Sequence, residues 1–357
     1  MGDKITVMLV DDSSVIRRAL SNTLEKEPDI EIVASAANGQ VGVDMARLKK
    51  PDIVILDVEM PIMDGLTALP LILKESPSSK VVMFSTLTAK GADTTLKAMA
   101  LGAIECVVKP SAQSANNESN FQDYIINLIK TLYKHKLSKA AAAASTDALS
   151  TAPASKDFSL LKDPMAFKDS PSLLAIGSST GGPNALFEVC SHLKNLPAPV
   201  VITQHMPPTF TKVLAQHISE KTGVPTAEGE DGMPLKAGHI YVAPGGFHML
   251  FEKSDNGPII RLDDSAPVNF CKPAVDPMLS SALDVFGHKI LTAILTGMGS
   301  DGLGGCKAVA QQHGRVIAQD EQTCTVWGMP RAVTLEGICE EVLPLQSIGP
   351  WLKKQFI

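Results

Sequence analysis

The sequence predicts an α/β protein built of two doubly wound domains. Three observations carry that prediction. Short, β-branched apolar runs alternate with amphipathic helical patterns, and they do so twice along the chain. A stretch poor in large apolar residues separates the two series. The length of 357 residues leaves room for two ordinary domains.

The first series runs from residue 4. "ITVMLV", "IEIVASA", "IVILDV", "KVVMFS" and "ECVVKP" read as strands. Between them, "SVIRRALSNTLEKE", "GQVGVDMARLKK" and "ADTTLKAMALG" read as helices. Near-continuous apolar strands alternating with helices indicate a parallel sheet covered on both faces, here a flavodoxin-like domain over residues 1–138. The break, residues 139–170, contains "SKAAAAASTDALSTAPASKD". Its alanines favour prolonging the preceding helix; the remainder has too little to bury and reads as a linker.

The second series fills residues 171–357. "LLAIG", "PVVITQHM", "GHIYVAP", "MLFEK", "IIRLDD", "ILTAILTG", "GRVIAQD" and "EEVLPL" are its strands. "NALFEVCSHLK", "FTKVLAQHISEKTG", "VDPMLSSALDVFG" and "DGLGGCKAVAQQHG" are its helices. "GHIYVAPGGFHMLFEK" reads as a hairpin, so this sheet is expected to be mostly parallel with an antiparallel part.

Composition narrows the function. The formal net charge of −6 argues against a nucleic-acid groove, which needs clustered Lys and Arg. No apolar stretch reaches the ~18 residues of a membrane span, and the start shows no secretory h-region. Gly2 and Thr6 fit the loose myristoylation pattern, but the strand begins there at once, so the match reads as accidental. The cysteines (106, 190, 271, 306, 324 and 339) form no C-x-x-C pair. They read as reduced, mostly buried thiols of a cytoplasmic protein.

Ligand sites in open α/β sheets gather at the carboxyl ends of the strands. In the first series those ends carry Asp11 and Asp12, Asp57, Ser85 and Lys109. Three carboxylates on one edge repel one another unless compensated. Mg²⁺ with oxygen ligands and the Lys109 ammonium supply that compensation. A carboxylate so placed can attack a phosphoryl donor to give an acyl phosphate. "LVDDSSVIRR", "ILDVEMPIMDG" and "VVKP" resemble the receiver domain of two-component response regulators. The resemblance implies Asp57 as phosphoacceptor, with Asp11, Asp12 and the Glu59 carbonyl helping to bind Mg²⁺. It implies Ser85 and Lys109 as sensors of the phosphoryl group. One position departs: many receivers carry an aromatic switch three residues before the lysine, and here that residue is Cys106.

In the second series, "AIGSSTGGPNAL" is a strand, a glycine-rich turn and a helix opened by Pro183. A dinucleotide fingerprint fails at Ser179, where glycine is needed. A phosphate loop fails after Gly182, where Pro183 and Asn184 replace the lysine. G-x-S-x-G matches from Gly177 to Gly181 and puts Ser179 at the turn. A serine nucleophile needs a base and an acid that orients it. His205 ends an apolar strand before Pro207 and Pro208, with His248 as runner-up. Asp301 lies in the glycine-rich turn of "ILTGMGSDGLGG"; Asp276 and Asp231 are weaker choices in looser sequence.

The order Ser179, His205, Asp301 differs from that of α/β-hydrolases, which place the acid before the histidine. This constellation behind a receiver resembles the chemotaxis protein-glutamate methylesterase (CheB) family. The matching stretches are "AIGSSTGG", "ITQHMPP", "IYVAPGGFHM", "PVNFCKPAVDPM", "ILTGMGSDG" and "GMPRAV". The resemblance implies a catalytic triad of Ser179, His205 and Asp301, with backbone N–H groups near Thr180 and Met298 binding the oxyanion. It implies an esterase that needs no cofactor and acts on glutamate methyl esters of chemoreceptors, with deamidation of glutamines as a sister reaction. It implies a CheA-type histidine kinase as phosphodonor and phosphorylation as the control. A receiver-linked nucleotide-binding module and an inactive receptor-binding adaptor are the alternatives.

Overall fold

The computed structural model describes residues 4–86, 88–109, 118–144 and 170–356. The chain divides into two compact units, Met1–Asp147 and Ala148–Ile357.

The first unit holds β1 (Ile5–Val10), α1 (Ser14–Leu24), β2 (Ile30–Ala36), α2 (Gly39–Lys49), β3 (Ile53–Asp57), α3 (Gly65–Glu75), β4 (Lys80–Ser85), α4 (Ala89–Ala100), β5 (Glu105–Val108) and α5 (Glu118–Ala144). The strands form one sheet in the order β2-β1-β3-β4-β5, with every pair parallel. β3 is buried throughout, as its unbroken apolar run predicts for a central strand. The helices begin where the sequence supplies caps: the side chains of Ser13, Asn38, Asp64 and Thr88 each accept from a backbone N–H three residues on. Such a cap contributes about 1 kcal/mol. α3 carries Pro70 inside it, which costs a hydrogen bond and obscures its helical pattern in the sequence. α5 runs to Ala144, through the alanines at the start of the segment read as linker. The rest of that segment, from 145 to 169, lies outside the described residues.

The second unit holds β6 (Leu173–Ser178), α6 (Gly182–Cys190), β7 (Val200–Gln204), α7 (Phe210–Thr222), β8 (Thr226–Glu228), β9 (Ile240–Val242), β10 (His248–Ser254), β11 (Gly257–Asp263), α8 (Val275–Phe286), β12 (Ile290–Ile294), α9 (Leu303–Gln311), β13 (Arg315–Gln319), α10 (Met329–Leu335), β14 (Glu341–Leu343) and α11 (Leu345–Lys354). Seven strands form a sheet in the order β14-β13-β12-β6-β7-β9-β8, all parallel. The hairpin expected between "IYV" and "HMLFEK" does not form. β9 is buried and pairs in parallel with β7 and β8. The antiparallel partner of β10 is β11, in a separate two-stranded ribbon. Ala243-Pro244-Gly245-Gly246 carries the chain off the main sheet between the two, and a Cβ on Gly245 would strike the Pro207–Pro208 backbone. The ribbon packs its Met249, Phe251 and Ile260 into the same core as Leu279 and Ala282 of α8.

Candidate active site

β6 lies at the centre of the seven-stranded sheet, between β12 and β7. The chain fills the β7 side first and then crosses to β12, so the strand order reverses beside β6. Crevices open at such reversals at the carboxyl ends. The β6–β7 register pairs Ser178 with Gln204. Ser179 and His205 are the next residues after these two strand ends, and the His205 N–H donates to Ser178 O at 3.1 Å. Asp301 lies in the turn between β12 and α9.

The turn at Ser179 is built on glycine. Gly181 takes φ +76 and caps α6, while the Gly182 N–H donates to Ser179 O at 2.7 Å. The left-handed conformation therefore falls on a residue that adopts it freely, and Ser179 keeps ordinary backbone. A Cβ on Gly181 would strike Thr325, and one on Gly182 would strike Gln204 Oε1. Gln204 clasps the turn. It accepts from Ser178 Oγ at 2.7 Å, and its Nε2 donates to Ser179 O at 3.0 Å. The Ser179 N–H donates to Thr296 O at 3.0 Å, and Thr296 Oγ1 donates to Thr180 O at 2.9 Å. Gly297 is so close that a Cβ there would lie 2.8 Å from Ser179 Cβ. The Gly297–Met298 turn is thus pressed against the serine.

His205 Nε2 and Asp301 Oδ2 are 2.7 Å apart, with Asp301 only 2% exposed. Asp301 also accepts from the Val275 N–H at 2.6 Å and from Asn269 Nδ2 at 3.0 Å. Burial alone would raise the Asp301 carboxyl; the His205 bond and charge and the other donors outweigh it and hold it low. Burial alone would lower His205; its bonds and charge interactions with Asp301 and Cys271 outweigh that and raise it to about 9. The other ring nitrogen, Nδ1, faces Cys271 Sγ at 3.3 Å. With both nitrogens engaged, Ser179 makes no hydrogen bond to His205 among the described residues.

The competing residues separate clearly. His248 is fully buried; its Nε2 donates to Ala266 O and its Nδ1 accepts from the Ala274 N–H, so both ring nitrogens are bound to backbone. Asp276 accepts from the Gly305 N–H and from Asn269. Asp231 pairs with Arg261 on an exposed face. Sequence reasoning missed Gln204, Asn269 and Cys271, all of which touch the centre.

The first unit gathers its own charged edge. Lys109 Nζ lies 2.8 Å from both Asp11 Oδ2 and Asp57 Oδ2. Carboxylate oxygens of Asp11, Asp12 and Asp57 fall within 4.8 Å of one another, a donor set suited to a hard divalent cation. Burial and the neighbouring Asp11 raise Asp57 to about 6 against the opposing pull of Lys109. Ser85 ends β4 and is buried, and Glu59 follows Asp57 by two residues on the exposed loop. Cys106 lies in β5 with its thiol pushed up to about 12 by burial.

Residues 174–352 match the family described as CheB methylesterase. The chain belongs to the CheB methylesterase family. Residues 7–118 match the response regulator receiver domain. Over 370 residues the chain is 44% identical to the protein-glutamate methylesterase/protein-glutamine glutaminase of group 2 operon of Rhodospirillum centenum, covering 99% of this chain and 94% of that one. The protein-glutamate methylesterase/protein-glutamine glutaminase of Azospirillum brasilense is 43% identical over 370 residues, covering 99% of this chain and 93% of that one. Among solved structures, the Thermotoga maritima CheB methylesterase catalytic domain is 42% identical with a TM-score of 0.51, covering 52% of this chain and 99% of that one.

Proposed function

We propose that this CheB-family chain hydrolyses glutamate methyl esters on chemoreceptors through Ser179, His205 and Asp301. The observation that carries the proposal is the 2.7 Å His205–Asp301 pair on the strand end beside Ser179. Ser179 Oγ attacks the ester carbonyl carbon, and His205 takes its proton. Asp301 holds the imidazole and stabilises its charged form. The N–H groups of Thr180 and Met298 receive the developing oxyanion. Methanol leaves with the proton from His205, and water then hydrolyses the glutamyl ester on Ser179. The same steps on a glutamine amide release ammonia. The esterase chemistry needs side chains and backbone alone.

In this reading the two roles divide at a linker, with the receiver in residues 1–138, the linker at 139–170 and the esterase in residues 171–357. Asp57 takes a phosphoryl group from a histidine kinase, and esterase activity rises in response. Mg²⁺ held by Asp11, Asp12, Asp57 and the Glu59 carbonyl would neutralise phosphoryl charge. Lys109 and Ser85 hold the phosphoryl oxygens. No described helix is long and apolar enough to cross a membrane. The proposed place of action is the cytoplasm, where the receptor's modified glutamates lie.

Methanol release from methylated receptor membranes tests the catalytic assignment. Ser179→Ala is expected to lower the rate at least ~10⁴-fold, the scale for losing a serine nucleophile. A fluorophosphonate should label the parent protein and leave this variant unlabelled. Retained hydrolysis in Ser179→Ala overturns the assignment.

A further inference from the structure

The base of the hydrolytic centre has a third partner. A carboxylate only accepts, so the 2.7 Å contact with Asp301 places a hydrogen on His205 Nε2. The nitrogen left to take a proton from Ser179 is Nδ1. That nitrogen faces Cys271 Sγ at 3.3 Å. The segment presenting the thiol is fastened on both sides. Val268 and Cys271 pair backbone to backbone, and Asn269 Nδ2 bridges Asp276 Oδ2 at 2.9 Å and Asp301 Oδ1 at 3.0 Å. Beyond the thiol, Lys272 O accepts from the Gly246 N–H. Asn269 and Phe270 both hold positive φ, 52 and 64, a conformation that non-glycine residues keep only when their surroundings impose it. Cys271 is half-buried, whereas Cys190, Cys306, Cys324 and Cys339 are buried.

We propose that Cys271 is a positioning residue for the base: its thiol occupies His205 Nδ1 at rest, and Ser179 gains that nitrogen when the thiol turns aside. The proposal rests on the reading of Ser179, His205 and Asp301 as the hydrolytic centre. One proton is shared between sulfur and nitrogen, as S–H···N or as thiolate and imidazolium. The second form holds the proton on His205 and so withholds the base. The titratable groups facing the ring are Asp301, from the β12–α9 turn, and Cys271. Asp276 stands behind Asp301 through Asn269, and the Lys272 charge is taken by Asp264. Removing the thiol leaves Asp301 as the remaining support of the imidazolium.

The experiment compares the full chain with Cys271→Ala, Cys271→Ser and Ser179→Ala in methanol release across pH, with His205 titrated by NMR in parallel. In Cys271→Ala the acidic limb of kcat/KM is expected to move to lower pH by ~1 unit or more, the scale of removing one charged partner. At pH 7, on the rising limb, kcat/KM then increases about tenfold or more. Cys271→Ser keeps a donor near Nδ1, with a hydroxyl in place of the thiol. It guards against a folding loss and is expected to shift the limb in the same direction. The NMR titration should follow. A limb unmoved in both variants overturns this proposal and leaves the Ser179 assignment standing. Loss of hydrolysis in Cys271→Ala with retention in Ser179→Ala would put the nucleophile on sulfur and overturn both.

Discussion

His205 is largely shielded from water, which by itself favours its neutral form, yet its two partners favour the cation and win, at about 9. A general base works when neutral. Below pH 9, kcat/KM for methanol release should therefore rise about tenfold per pH unit and level off above it; a flat profile between pH 6 and 8 would contradict this assignment of the base. The stability sign is opposite. The folded value of His205 lies above the ordinary 6.5, so its contribution is complete below pH 6.5 and is lost as pH climbs through 9. Asp57 is a carboxyl raised from 3.8 to about 6, so the folded unit binds its proton more tightly. Stability then falls as pH rises from 3.8 through 6, by at most roughly 3 kcal/mol. Asp57→Asn should raise the urea midpoint of the receiver transition at pH 7.5, and a lowered midpoint would count against burial as the cause. The residues proposed for chemistry were legible because each occupies a motif. Gln204, Asn269 and Cys271 were not, because their contacts close over separations of 25, 32 and 66 residues that no local pattern encodes.

Elements carry these residues to one edge, and the turns between them set the tolerance. In the serine turn, Gly181 is the residue that takes the left-handed conformation. Ala there must hold φ +76 and push Thr325 aside, a strain of about 1–3 kcal/mol. Gly181→Ala should remain folded by circular dichroism and lose more than tenfold in kcat, since the strain is relieved by moving the serine turn. An unchanged kcat would mean that the turn does not position Ser179. Most strands were legible as apolar runs, and four helices of the receiver unit carry side-chain caps at their starts. β9 and β10 were misread as a pair because both are short apolar runs around a glycine turn. What separates them is the Pro207–Pro208 backbone packed against Gly245, a tertiary contact. α10 and α11 escaped notice because Pro330 begins one and Pro350 interrupts the other.

At the scale of the whole molecule, a phosphoacceptor and a hydrolase share one chain. A small phosphodonor such as acetyl phosphate should raise methanol release by the parent protein several-fold and leave Asp57→Asn unchanged. A response that persists in Asp57→Asn would detach control from this aspartate. The order of motifs along the chain made this two-part organisation legible, since each set of strand ends carries its own kind of chemistry.

The all-parallel sheet also governs when activity can first exist. β6 lies between β7 and β12, and the Thr180 carbonyl is held by a hydroxyl 116 residues later, on Thr296. At ~5–20 residues per second of synthesis, the segment bearing Asp301 follows the serine turn by on the order of 6 to 25 seconds. Until it emerges, the central strand lacks one neighbour and the imidazole lacks its carboxylate. A ribosome-bound chain, or one truncated before β12, is consequently an inert hydrolase with an open strand edge. Premature termination should yield aggregation-prone protein without stray esterase activity.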